Sequence, residues 1–156
     1  MSVVVRLPDG SQKEFAAGST ALDVAKSIGA RLAREAVAAK IDGQLVDLSH
    51  PIENDADVSI VTMDSPEGLE VLRHSAAHLM AHALQRLFPG THLAIGPVVE
   101  NRFYYDVQSP RSITGDDFAA IEAEMEKIAK EDLPIERLEV SKEEAAELFA
   151  DEPFKL

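Results

Sequence analysis

The sequence contains no cysteine, and this absence excludes disulfides, thiolate metal sites and cysteine nucleophiles. Any catalysis must therefore use histidine, carboxylates, lysine, hydroxyl groups or the backbone. No stretch approaches the roughly 18 uninterrupted apolar residues that a membrane helix requires. The N-terminus also lacks the charged flank, apolar core and cleavage site of a secretory signal peptide. We therefore expect a cytoplasmic protein with no membrane partner.

The sequence also lacks a basic excess, because 28 Asp and Glu residues outnumber 15 Lys and Arg residues and leave a net charge of -13. Nucleic-acid-binding proteins usually present a basic surface, so composition alone argues against an RNA partner. Most of the negative charge falls in residues 113–156, where carboxylates follow the polar faces of predicted helices. With 156 residues, 46% of them hydrophobic, the chain is long enough for one or two buried cores.

Residues 1–62 pass from strand pattern to helix pattern and back to strand pattern. A β-branched run stops at the turn sequence Pro8-Asp9-Gly10-Ser11 and then resumes, which predicts a hairpin. A second hairpin signal, Asp42-Gly43, separates two later strands. The order ββαβββ in about 60 residues indicates a β-grasp module, in which a small mixed sheet packs on one helix. The predicted elements are strands at 3–7, 12–15, 36–41, 44–48 and 57–61 and a helix at 21–28, capped by Ser19 or Thr20 and closed by Gly29.

The segment 63–67 breaks both periodicities and contains a proline, so it predicts a linker between a domain at 1–62 and a second domain at 68–156. Helix and strand patterns both occur in the second domain, and the whole chain is therefore predicted to be α+β. Its predicted elements are a helix at 69–88, a hairpin of strands 93–99 and 103–107, an acidic helix from Thr114 to Lys130, a strand at 135–140 and a short helix after a capping box at Ser141.

His74, His78 and His82 recur every four residues on the long predicted helix and so project from one narrow stripe. Two imidazoles one turn apart have about 5 to 6 Å between their Cβ atoms, close enough to hold one water or one substrate oxygen between them. The small residues Ala76, Ala77 and Ala81 lie between them and suit a cleft wall. The predicted core-facing residues of this helix are Leu72, Ala76, Leu79, Met80, Ala83, Leu84 and Leu87.

The spacing of these histidines leaves three interpretations open. They can be surface residues without a task, although four of the five histidines fall within residues 74–92. They can hold zinc, which takes four protein ligands in structural sites and three in catalytic ones, so His92 or a carboxylate would have to complete the set. They can also position or activate a water molecule without a metal.

Two longer strings in this region resemble the editing domain of bacterial-type threonyl-tRNA synthetases. They are RHSAAHLMAHAL, from Arg73 to Leu84, and FPGTHLAIGPVVENRFYYD, from Phe88 to Asp106. The strings VVVRLPDGSQKEF and AKIDGQLVDLSHPIENDADVSIVT are similar to the TGS domain that precedes the editing domain in that family. The resemblance covers nearly the whole chain, in the family's order. It implies a ubiquitin-like β-grasp TGS domain followed by the first, incomplete part of an α+β editing domain.

The resemblance also implies candidate catalytic residues. The two histidines of the family's HxxxH motif fall on His74 and His78, and the family's later lysine falls on Lys155. Their implied task is hydrolysis of mischarged seryl-tRNA at its acceptor end, with no metal ligand and no cofactor in this part of the protein. Phe103, Tyr104 and Tyr105 match a family strand, and we interpret these aromatic residues as core.

Other family features would lie after residue 156. These are a second editing motif with an aspartate, a cysteine and a histidine, and the core that attaches threonine to tRNA with ATP, Mg and a Zn ion. A homodimer formed through that core is also implied. Two other classes of function stay open: a freestanding metal-dependent hydrolase or trans-editing factor, and a TGS-containing regulatory binding module whose histidines are incidental.

Overall fold

The computed structural model describes residues 1–135 and 137–155 and divides into two compact units, Met1–Leu72 and Arg73–Leu156. Strands and helices occur in both units, which confirms the predicted α+β class. Within the described residues, no helix has the length and apolar character needed to cross a membrane.

The first unit contains seven strands and two short helices before the long helix begins. The helices are α1 (Ala21–Ile28) and α2 (Ala30–Glu35). The strands are β1 (Ser2–Arg6), β2 (Gln12–Ala16), β3 (Ser19–Thr20), β4 (Ala36–Ile41), β5 (Gln44–Val46), β6 (Pro51–Ile52) and β7 (Ala56–Thr62).

Five of these strands form one mixed sheet in the order β2-β1-β7-β4-β5. β1 pairs antiparallel with β2 and parallel with β7, and β4 pairs antiparallel with both β5 and β7. Alternate residues of β1, Val3 and Val5, are buried, and they pack with Val24 of α1 and Val58 of β7 in one hydrophobic cluster. This mixed sheet packed on one helix confirms the predicted β-grasp fold.

The turn residues and the helix-capping residue of this unit form the structures that the sequence predicts. Asp42 and Gly43 both adopt positive φ, 49° and 82°, which a two-residue hairpin turn of this type requires. Thr20 caps α1 in a capping box with Asp23. The sequence patterns miss α2 and the two-residue ladder of β3 and β6, because elements this short have too few residues to establish a period.

The long helix α3 (Pro66–Leu87) begins three residues before the predicted start at Leu69. The hydroxyl of Ser65 accepts a hydrogen bond from the backbone N of Gly68 at 3.0 Å, and Pro66 suits the first turn because it has no N–H to satisfy. Gly68 is buried, and a Cβ atom there would lie 1.9 Å from the carbonyl oxygen of Thr62. The backbones of the end of β7 and the start of α3 are therefore in direct contact, with no room for a side chain at residue 68.

In the second unit, the chain after α3 forms the predicted hairpin in two short ladders. β8 (His92–Leu93) pairs with β11 (Val107–Gln108), and β9 (Val98–Val99) pairs with β10 (Arg102–Phe103). A 3-10 turn at Gly115–Asp117 leads into α4 (Phe118–Glu131), and α5 (Lys142–Leu148) follows. Ser141 forms the predicted capping box, and Thr114, predicted as a helix cap, also forms one with Asp117.

Two predictions for the second unit are wrong. The predicted strand at 135–140 is absent from its described residues, 135 and 137–140, because a strand needs a hydrogen-bonded neighbour and these residues have none; Glu136 lies outside the described residues. In α3, the predicted core position Leu72 is also wrong, because it is 36% exposed, and Ala77 and Ala81 are buried without having been assigned to the core; the predicted core positions Ala83 and Leu84 are buried as expected. The alanines thus allow close packing instead of lining a cleft. A compact core of Ala83, Leu84, Phe88, Ile121 and Ile128 joins α3 to α4.

Candidate active site

Helix α3 brings His74 and His78 into direct contact. Their Nε2 atoms lie 2.9 Å apart, and their ring centroids are separated by 4.7 Å with a tilt of 44°. A hydrogen bond between two imidazoles needs one ring to donate a proton and the other to accept it. The contact between the two Nε2 atoms therefore links the tautomers of the two rings.

The surroundings of His78 favour its neutral form. Burial lowers the pKa of His78 most, and the nearby His74 and the positive charge of Lys155 lower it further. A histidine with a pKa below its ordinary value of about 6.5 is neutral at pH 7 and can accept a proton. His78 therefore has the protonation state that a general base requires.

Tyr105 lies between the histidine pair and the predicted lysine. Its ring stands nearly perpendicular to that of His78, at 74° with 6.2 Å between centroids. The Nζ atom of Lys155 lies 6.0 Å from the centre of the same ring and 3.4 Å from the carbonyl oxygen of Ala94, to which it donates. The structure thus brings His74 and His78 together directly and brings Lys155 to them across Tyr105.

The hairpin sets the position of Tyr105. Backbone hydrogen bonds from Ala94 to Asp106 and from Asp106 to Ile95, of 2.9 and 2.8 Å, hold the two arms between the short ladders. The ring of Tyr105 packs against Gly96, which has no side chain to displace it. A glycine facing an aromatic residue across a hairpin is the signal that indicates this placement from sequence. Tyr105 is half-buried and Tyr104 is exposed, so neither is the core residue we expected.

His82, the third histidine of the stripe, belongs to a separate network. Its Nε2 accepts a hydrogen bond from Nε of Arg86 at 3.1 Å. Arg86 also donates twice to Glu131, at 2.7 and 2.8 Å, and once to Glu124 at 3.3 Å, and these bonds raise its pKa. This arginine ties α3 to α4 and holds His82 one turn away from the histidine pair.

The structure shows no cluster of metal ligands in the part of the chain that it describes. Across residues 1–135 and 137–155, no three His, Asp or Glu side chains are arranged to hold one ion. His92, which would have to complete a zinc site, instead has its Nδ1 atom 3.8 Å from a carboxylate oxygen of Glu152.

A cleft of about 630 Å³ opens beside the histidine stripe within the second unit. His78 and His82 line its polar side together with Ser75 and Asp132. Leu79 of α3 and Ile128 of α4 form part of its apolar wall. A cavity of this size, mostly apolar with a few converging polar groups, has the character of a small-molecule or chain-end binding site.

These groups supply what hydrolysis of an ester requires. His78 in its neutral form can take a proton from water, and the amine of Lys155 can face a developing negative charge.

Comparisons with known proteins found relatives that cover both units. Residues 3–62 match the TGS domain family. The chain is 52% identical over 153 residues to a threonine–tRNA ligase of Staphylococcus saprophyticus, covering 98% of this chain and 24% of that protein. It is 52% identical to the enzyme of Rubrobacter xylanophilus over 152 residues and 51% identical to that of Enterococcus faecalis over 157 residues.

The alignments with these three relatives cover 97 to 100% of the chain and so include residues of both units. The chain spans about a quarter of the length of each of them. It is therefore a homologue of the threonine–tRNA ligases over nearly its whole length, with a TGS domain at residues 3–62.

Proposed function

We propose that this chain is the N-terminal region of a threonine–tRNA ligase and that its second unit contributes to hydrolysis of mischarged seryl-tRNA. The observation that supports this most directly is the hydrogen-bonded pair of His74 and His78, 2.9 Å apart, in a chain about half identical to threonine–tRNA ligases. Attachment of threonine with ATP belongs to the larger part of those relatives that this chain does not span.

Such a ligase needs a second site because threonine and serine differ by one methyl group. A pocket can use a single methyl for only about 1 to 3 kcal/mol, which corresponds to roughly 10 to 200-fold discrimination. Serine, the smaller amino acid, cannot be kept out of the first site by size. A hydrolytic site that accepts the seryl ester and rejects the threonyl ester removes the remaining errors.

The reaction breaks the ester bond between serine and the terminal ribose of the tRNA. A water oxygen attacks the carbonyl carbon, its proton passes to the histidine pair, and the carbonyl oxygen becomes negative in the tetrahedral intermediate. The intermediate collapses to free serine, and the ribose oxygen leaves with a proton returned by the imidazole. After burial and His74, the positive charge of Lys155 also lowers the pKa of His78, and this amine would stabilise the oxyanion.

The acidic composition is compatible with a tRNA partner if the acceptor end alone reaches this unit. Most of the negative charge lies in residues 113–156. Arg73 and Arg102 precede that segment, as the histidines do. The phosphates of the tRNA body would then contact other parts of the ligase. We also propose that the whole ligase forms a homodimer through those other parts.

The test is a chimaera in which residues 1–156 replace the corresponding segment of the Staphylococcus saprophyticus ligase. The chimaera should release serine from seryl-tRNA and leave threonyl-tRNA intact. A matched variant, His78→Asn, should charge threonine normally and accumulate seryl-tRNA. If the unaltered chimaera charges tRNA but deacylates seryl-tRNA no faster than His78→Asn, the editing proposal is wrong.

A further inference from the structure

Glu152 connects the segment that precedes Lys155 to the rest of the second unit. Its Oε1 atom accepts a hydrogen bond from Nε2 of Gln85 on α3 at 2.8 Å. Its Oε2 atom accepts from the backbone N of Leu93 in β8 at 3.4 Å. The carboxylate is only 24% exposed, so these bonds are partly shielded from water. One side chain therefore bridges a helix and a strand that both flank the candidate site.

The backbone of Glu152 also belongs to the turn that carries Lys155. The backbone N of Glu152 donates to the carbonyl of Phe149 at 2.9 Å, and the N of Lys155 donates to the carbonyl of Glu152 at 3.0 Å. The lysine amine then reaches Ala94 and the ring of Tyr105. A displacement of Glu152 must therefore displace Lys155.

Apolar packing gives this segment little other attachment. None of the seven residues of α5, Lys142–Leu148, is buried, and all of them are described. Leu148 and Phe149 are 62% and 39% exposed. Hydrogen bonds to a charged group are stronger than those between neutral groups, so the bonds of Glu152 supply a large share of what holds this exposed turn.

We propose that Glu152 is a positioning residue for Lys155, holding its amine beside Tyr105 and His78 through the bonds to Gln85 and Leu93. The importance of Lys155 for hydrolysis rests on the proposed function, whereas the positioning itself rests only on these contacts. Glu152 touches neither histidine of the pair and acts through the lysine.

The charges make this role distinguishable from a direct effect of the carboxylate. The titratable groups that face His78 are His74, Tyr105 and Lys155, and His82 and Asp132 line the cleft beside it. Removing a nearby negative charge destabilises an imidazolium and lowers its pKa. Moving the positive charge of Lys155 away does the opposite. A rise in the pKa of His78 after loss of Glu152 therefore reports displacement of the lysine.

The experiment is an NMR titration of the histidine ring nitrogens in the 156-residue chain. The variants are Glu152→Ala, Lys155→Ala and the double variant, with Glu147→Ala as the control. Glu147 is an exposed carboxylate on the neighbouring α5, so its loss changes the net charge equally without releasing Lys155. Gln85→Met removes the partner of Glu152 while keeping its length and leaving every charge in place.

Gln85→Met should raise the pKa of His78 as Lys155→Ala does, and Glu152→Ala should raise it by no more than that, because the loss of a negative charge acts in the opposite direction. The shift in the double variant should not exceed that in Lys155→Ala alone, and Glu147→Ala should leave the pKa unchanged. A fall in the pKa, or additive shifts in the double variant, would overturn the proposal. If Glu152→Ala does not fold, Gln85→Met decides in the same way.

The same variants in the chimaera separate this inference from the proposed function. Seryl-tRNA deacylation should fall equally in Glu152→Ala, Lys155→Ala and the double variant. Unchanged deacylation in Lys155→Ala would reject a role for the lysine in hydrolysis, while the titration would still decide whether Glu152 positions it.

Discussion

Gly96 and Tyr105 pack so closely that a Cβ atom on Gly96 would lie 2.2 Å from Cδ2 of the tyrosine ring. No side chain tolerates that distance, so the ring or the hairpin must move. We expect Gly96→Ala to displace Tyr105 from His78 and to lower the free energy of unfolding by about 1 to 3 kcal/mol, as overpacking does. Nuclear Overhauser contacts between the two rings and urea denaturation measure both effects.

Gly115→Ala is the matched control for this substitution. A Cβ atom on Gly115 meets nothing within 4 Å, so this variant should change the free energy of unfolding by no more than about 0.5 kcal/mol. If Gly96→Ala retained the contacts between Tyr105 and His78 at full stability, the packing we describe would not exist in solution.

The two paired histidines should be separable from the third by mutation. In the chimaera, His74→Ala or His78→Ala should slow deacylation of seryl-tRNA by about 10² to 10⁴-fold, the usual scale for a lost acid–base group. His82→Ala should have a much smaller effect, since His82 is bonded to Arg86 and not to the pair. Threonine charging provides the internal control. Equal losses in all three variants would contradict the assignment.

Acidification should destabilise the fold through His78 before it affects the carboxylates. The pKa of His78 is lowered in the folded state, so the unfolded chain, with an ordinary pKa of about 6.5, binds more protons in that range. The free energy of unfolding should therefore fall as the pH drops below about 6.5, and less so in His78→Gln. Urea denaturation at a series of pH values measures this.

The carboxylates titrate in a different window and serve as the comparison. Arg111, followed by the backbone N of Thr114, lowers the pKa of Asp117 to about 2. Its stabilising contribution is present above its ordinary pKa and is lost only as the pH falls towards 2. Asp117→Asn should therefore leave the slope between pH 7 and 5 unchanged, and an altered slope would place the effect elsewhere.

The histidine pair should bind no catalytic metal, although HxxxH on a helix invites that assignment. Catalytic zinc takes three protein ligands, and His74 and His78 offer two nitrogens already bonded to each other. Elemental analysis of protein purified without a His-tag should find no stoichiometric zinc. Zinc that is removed by a chelator and restored only when both histidines are intact would refute this.

The β-grasp unit is predictable from sequence because its signals are local and agree with one another. The Asp42-Gly43 turn, the capping residue Thr20 and the alternation of Val3 and Val5 each fix one element, and the elements then fit only one sheet. Where the pattern is short, as in α2, periodicity gives no signal.

The candidate site is only partly predictable for the opposite reason. The spacing of His74 and His78 is local and gives their contact, whereas Tyr105 and Glu152 reach the site through long-range packing that no periodicity records. The burial of Ala77 and Ala81 in α3 is not predictable from periodicity because alanine contributes little to an apolar pattern, although its small size permits the closest approach.

The contact between Thr62 and Gly68 has a consequence for recombining this module with other proteins. The TGS match ends at residue 62, yet the backbone of Thr62 leaves no room for any side chain at Gly68. A graft that ends at Thr62 would keep this steric restriction but would lack Gly68, the residue that satisfies it. A transplantable cassette must therefore extend through Gly68, and a saturation library should tolerate only glycine there although it lies outside the matched domain.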